Sequence, residues 1–177
     1  MHVAMPDEPV IVEGEGLVLR EWQLRDVPMM VALFNTAEMD RWTPLAHPFD
    51  TQAATAYVQR AHHAKSNGTL QLAITTDGTI PLGEVLLFPG GTPSTCEFAY
   101  AVGAAHRGQA LAARALKALL PIAGTDGYRT ATLKIAQGNA ASQASARAAG
   151  FHPVTTPLQR RERKGYILHM ATWTRPI

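Results

Sequence analysis

The sequence predicts a mixed α/β (α+β) domain, a mostly antiparallel central sheet of about seven strands with helices on both faces. Three observations carry this. Apolar–polar alternation recurs in short runs, two turn signals join three of those runs into a meander, and a helix-period segment separates the meander from further alternating runs. A meander followed by a strand–helix–strand unit implies a mixed sheet covered by helices.

In chain order, "LVLREW" (Leu17 to Trp22) alternates as a half-buried strand should. Asp26 offers an N-cap for a short helix, "VPMMVALFN". "RWTPLAHPF" (Arg41 to Phe49), with its prolines and aromatics, reads as a loop, after which Asp50 or Thr51 caps the helix "QAATAYVQRAHHAKS", ended by Asn67-Gly68. "TLQLAITT", the Asp77-Gly78 turn, "LGEVLLF", the turn "PGGTPS" and "TCEFAYAV" form the meander. "HRGQALAARALKALL" (His106 to Leu120) is a helix with a loop in front, "TATLKIA" a strand, and "NAASQASARAAG" a helix closed by Gly150. The tail, "FHPVTTPLQRRERKGYILHMATW", reads as two strands around a basic loop. The order is β-α-α-β-β-β-α-β-α-β-β. Neither repeat nor linker divides it, so residues 1–177 are expected as one domain, with 1–14 a loose N-terminal extension.

Composition narrows the function classes. Hydrophobic residues make up 46% and charged ones 17%, which suits a globular chain. A net charge of +2 argues against a nucleic-acid partner. Cys96 is the only cysteine, so no intrachain disulfide can form, and a buried structural thiol is expected there. No run approaches the ~18 to 20 apolar residues of a membrane helix. The N-terminus lacks a signal-peptide pattern, so no membrane contact and a cytoplasmic location are expected.

The strongest motif lies at the junction into the "ALAARALKALL" helix. N–H groups at a helix start have no partner within the helix and point along its positive end. Arg107-Gly108-Gln109-Ala110-Leu111-Ala112 leads into that start with only small side chains at Gly108, Ala110 and Ala112, so an anion can come close, and Arg114 could add charge. Plain packing of an alanine-rich helix is the alternative. The Gly-Lys-Ser/Thr ending of a P-loop is missing, which disfavours nucleotide hydrolysis.

"CEFAYAV", "GAAH", "RGQALA" and "ARALKALL" together resemble the pyrophosphate-binding segment of the GNAT superfamily of acyl-CoA N-acyltransferases, whose pattern is Arg/Gln-x-x-Gly-x-Gly/Ala, with Ala110 replacing the middle glycine. "NAASQASARAAGF" is similar to that superfamily's Asn-x-x-Ser…Gly-Phe segment through Asn139, Ser142, Gly150 and Phe151. "MDRWTPLAHPFDTQAATAYV" resembles its RimJ/RimL-like branch. The resemblance runs from about Leu17 to Met170 and implies acetyl-CoA or another acyl-CoA as co-substrate, without a metal. The pyrophosphate is expected on Arg107 to Ala112, and pantetheine on backbone groups of Tyr100, Ala101 and Val102, one of which would supply the oxyanion donor. Asn139 and Ser142 would face the sulfur end. A methyl at Ala110 is expected to be tolerated if the backbone there stays helical.

Family members often use a tyrosine on the last helix as general acid; the corresponding residue here is Ala146, which leaves Ser142 as proton donor to the thiolate, with helix capping as its alternative. Glu97 is the first choice for a base and Glu84 the second; a solvent-facing strand acid is the alternative for Glu97, and the resemblance also implies that water can deprotonate a positioned amine without an essential base. Trp42, His47, Phe49 and Glu84 are candidates for the acceptor pocket. His62-His63 reads as a solvated helix face, since adjacent helical positions cannot share one metal. "RRERK" (Arg160 to Lys164) is expected as a charged hairpin tip, with a grip on an acidic acceptor as the alternative. The implied activity is N-acetyltransfer to a small-molecule amine or a protein N-terminus, with a homodimer left open. The alternative is a degenerate member that binds acyl-CoA as a sensor.

Overall fold

The computed structural model describes residues 8–177, and the expectation for residues 1–7 lies outside them. The elements are β1 (Ile11–Gly14), β2 (Leu17–Glu21), α1 (Val27–Phe34), α2 (Ala37–Trp42), α3 (Thr51–Ala64), β3 (Leu70–Thr75), β4 (Gly83–Pro89), β5 (Thr95–Val102), α4 (Leu111–Thr125), β6 (Thr130–Ala136), α5 (Ala140–Ala148), β7 (His152–Pro153), β8 (Gln159–Arg163) and β9 (Tyr166–Pro176). Among the described residues the strands form one nine-stranded sheet, ordered β1-β2-β3-β4-β5-β6-β9-β7, with β8 also on β9. Every pairing is antiparallel except β5–β6.

Alternation decides the faces. Leu70, Leu72 and Ile74 on β3, Val85 and Leu87 on β4 and Phe98 on β5 join Leu116 and Leu119 of α4 in the larger core. Each such side chain, fully buried, contributes about 1.5–3 kcal/mol. Trp22, Phe34, Phe49 and Val58 form a second core under α1 and α3. Helices therefore cover both faces, as expected.

Several elements differ from expectation. Ile11–Gly14 is an edge strand rather than part of a loose extension, because Val12 buries against the main core while its backbone pairs with β2. Ala37–Trp42 is helical, capped by Thr36 Oγ1 accepting from Met39 N, so the aromatic-proline loop loses its first two residues. Asp26 precedes α1 but does not cap it; its carboxylate takes both guanidinium nitrogens of buried Arg20 at 2.7 and 2.9 Å. The basic tail segment is no loop. Gln159–Arg163 pairs with β9, and only Lys164-Gly165 makes the turn. Helix α4 continues past Pro121, whose missing N–H falls on the exposed face above Lys117.

Candidate functional site

β5 and β6 pair from Thr95↔Thr130 to Phe98↔Leu133 and then part. β5 follows β4 as far as Val102, while β6 follows β9 as far as Ala136. Between them opens a cleft of about 680 Å³, floored by Ala99 to Val102 on one side and Leu133 to Ala136 on the other. The start of α4, the start of α5, and α2 with Trp42 wall it.

At the α4 end, the first helical bond runs from Arg114 N to Ala110 O at 2.9 Å, which leaves the preceding N–H groups free to meet an anion. Gly108 (φ 82) and Ala110 (φ 53) both adopt left-handed backbone. The methyl at Ala110 therefore sits on a left-handed residue, not on the helical backbone expected from the sequence. Arg107, Gly108, Ala110, Leu111 and Ala112 line the cleft, whereas exposed Gln109 does not. The Arg107 guanidinium lies 2.8 Å from the Glu38 carboxylate. Arg114 lies against this loop but outside the cleft lining. Its guanidinium donates to the carbonyls of Glu15, Gly16 and Gln109, tying α4 to the β1–β2 turn.

At the α5 end, Asn139 is the helix cap, accepting from Ser142 N at 3.1 Å. Ser142 is thus freed from capping. Its Oγ lies 2.9 Å from the Tyr100 hydroxyl, which donates to the Ser142 carbonyl at 2.7 Å. Burial pushes Tyr100 up to about 12, so the phenol keeps its proton. The Tyr100 side chain escaped the sequence reading, which valued only its backbone. Strand alternation puts it with Phe98 and Val102 on the α4–α5 face, and the missing tyrosine at Ala146 was the available hint.

On the opposite face of β5 lie the carboxylates. Glu84 of β4 pairs in register with Ala101, beside the open part of the cleft. It is 4% exposed and accepts from the Tyr57 hydroxyl at 2.9 and 3.1 Å. The buried Trp22 indole N–H lies against the same carboxyl without completing a hydrogen bond. Burial pushes Glu84 up to about 7, against the pull of Tyr57. Glu97 lines the cleft as well, but where β5 and β6 are still paired, opposite Thr132. Burial raises it, and the charges of Lys134 and Arg161 draw it down.

Of the acceptor candidates, Trp42 and Glu84 line the cleft. Phe49 touches it too, yet is 1% exposed and wedged edge-on between Phe34 and Tyr57, so it is a core residue first. Exposed His47 lies outside the lining, 4.0 Å from Asp40. Cys96 is buried, and burial pushes its thiol up to about 12, as suits a structural cysteine. His62 and His63 are exposed on α3, and among the described residues no cluster of potential metal ligands occurs. No helix there is long and apolar enough to cross a membrane.

Several solved structures share this fold. RimJ from Mycobacterium smegmatis, in complex with CoA-disulfide, aligns at TM-score 0.81 and 18% identity over 99% of this chain and 90% of its own. RimL, a ribosomal L7/L12 alpha-N-protein acetyltransferase in complex with coenzyme A, aligns at 0.79 and 21% over 96% and 98%. The microcin C7 self-immunity acetyltransferase MccE, in complex with acetyl-CoA and AMP, aligns at 0.79 and 19% over 91% and 92%. No curated protein matches the chain in sequence. Residues 16–152, most of the chain, match the family described as acetyltransferase (GNAT) domain. A split sheet above an anion-ready helix start, together with that match, identifies the chain as a member of the GNAT acetyltransferase family.

Proposed function

We propose that the protein transfers an acetyl or other short acyl group from acyl-CoA to a primary amine, by direct attack within a ternary complex. The observation that carries this reading is the parting of β5 from β6 beyond Phe98 and Leu133, directly above the free N–H groups of α4. Pantetheine fits the gap as a strand substitute, bonding to backbone near Tyr100, Ala101 and Val102, while its pyrophosphate rests on the Arg107–Ala112 loop.

The chemistry follows from the groups around the gap. The amine nitrogen attacks the thioester carbonyl, and the oxygen gains charge as the C–N bond forms. A β5 backbone N–H aimed at it contributes about 3 kcal/mol. The C–S bond then breaks, and the Ser142 hydroxyl, turned from the Tyr100 oxygen, donates to the departing sulfur. The proton lost by nitrogen passes to Glu84, directly or through water. Glu84 is favoured over Glu97 because it stands beside the open segment and titrates near neutral pH, where a base is both available and strong enough. Coenzyme A leaves as the thiol and the acceptor as the amide, while solvent returns a proton to Ser142 and takes the amine's proton from Glu84.

The test is free-thiol release from acetyl-CoA with a panel of amines and peptides. Ser142→Ala is expected to lower kcat by ~100-fold while coenzyme A affinity by calorimetry stays level. Coenzyme A binding without thiol release on any acceptor would return the sensor reading. Absence of binding would sink both.

A further inference from the structure

The sheet face under the acceptor side of the cleft is electrically polarised. At one end stand Glu84 of β4 and Glu97 of β5. At its far end stand Lys134 of β6 and Arg161 and Arg163 of β8, all lining the cleft. Register explains their shared face. Arg161 and Arg163 lie two residues apart, opposite Leu168 and Tyr166, and Lys134 lies opposite Thr172. Among the described residues none of these three cations forms an ion pair. The hairpin's own pairs use their neighbours, Arg160 with Glu162 at 3.1 Å and Lys164 with Asp40 at 2.8 Å. Lys134 donates to Thr172 Oγ1 at 2.6 Å, and it and Arg161 act on the Glu97 carboxylate through space without a direct contact.

Two like charges side by side on one strand face repel. Partial burial and the charge of Arg161 accordingly hold Arg163 below the ordinary guanidinium range. Protecting a sheet edge from other chains does not need this arrangement, because Arg160 and Glu162 already face away from the cleft.

We propose that these cations select an acceptor bearing negative charge beyond its amine: a peptide amino terminus with Asp or Glu in its first few positions, laid across the sheet with the amine at Glu84. The inference rests on the acyl-transfer reading. Four strand spacings separate Glu84 on β4 from the arginines on β8, about 19 Å in all. A free amino acid, whose carboxylate lies only about 3 Å from its amine, falls far short of the arginines, whereas an extended peptide at ~3.3 Å per residue reaches them.

The experiment compares kcat/KM for matched peptides carrying Asp/Glu, Asn/Gln or Lys after the amine, alongside a free amino acid and a polyamine. The acidic peptide is expected to exceed the neutral one by ~10-fold, through KM, and raising the salt should erase the advantage. Arg161→Glu with Arg163→Glu should invert the order of acidic and basic peptides, with coenzyme A affinity measured to verify folding. Equal kcat/KM across the peptides, a preference that survives both high salt and the double reversal, or a preference for the free amine overturns charge selection and leaves acyl transfer standing. Thiol release from no acceptor at all overturns both.

Discussion

Ala110 holds a left-handed backbone, φ 53 and ψ 26, at the N-cap of α4. An L-residue there costs roughly 1–2 kcal/mol, and glycine removes that cost while adding some chain entropy to the unfolded state. Ala110→Gly is therefore expected to raise stability by about 1 kcal/mol, or a few degrees of Tm by calorimetry, and to hold or tighten coenzyme A binding. The second residue is Glu84. Its folded pKa near 7 exceeds the unfolded value of 4.5, so folding takes up a proton. Stability is thus drained as pH rises from 4.5 to about 7, by about 3 kcal/mol in all. Glu84→Gln should gain about that much on the wild type between pH 4 and pH 8 in denaturant titrations. The same change should delete the rise in kcat/KM near neutral pH. The phosphate-loop residues were legible in the sequence because the chemistry there is backbone chemistry, written as small side chains. The Glu84–Tyr57 pair was not, since it joins β4 to α3 across 27 positions and no local pattern records that meeting.

At the scale of elements, the cleft depends on β4 staying flush with β5 while β6 turns away. Gly83 permits this: a Cβ there would stand 2.5 Å from the Ala101 carbonyl and 3.0 Å from Val102 Cα, both backbone. Gly83→Ala must push β5 toward the gap, and is expected to cost about 1–3 kcal/mol and to weaken coenzyme A binding together with stability, as paired melting and titration would register. Most elements were readable because their periods are clean: β3, β4, β5 and β6 alternate, and α4 keeps one apolar stripe. Those misread share a physical cause. β1 and α2 are too short for a period to repeat, and β8 is polar on both faces, one toward solvent and one toward the cleft, so alternation never shows.

For the whole molecule, the ligand gap spans the join between the two halves of the sheet, β1 to β5 and β6 to β9. Under the proposed function, a co-substrate seated between the halves acts as a missing part of the fold. At a hundred times its Kd, coenzyme A should stabilise the protein by about 2.7 kcal/mol, a Tm rise of roughly 5–10 °C by scanning fluorimetry, and the rise should shrink in Gly83→Ala. The parting of β5 and β6 has one more consequence. A sheet edge with bare N–H and C=O groups invites a strand from a neighbouring protein and so threatens aggregation. Here two such edges face each other inside a slot walled by α2, α4 and α5. The slot admits a slender chain and excludes a broad one, so the fold keeps a reactive seam in constant readiness without exposing it to other copies of itself.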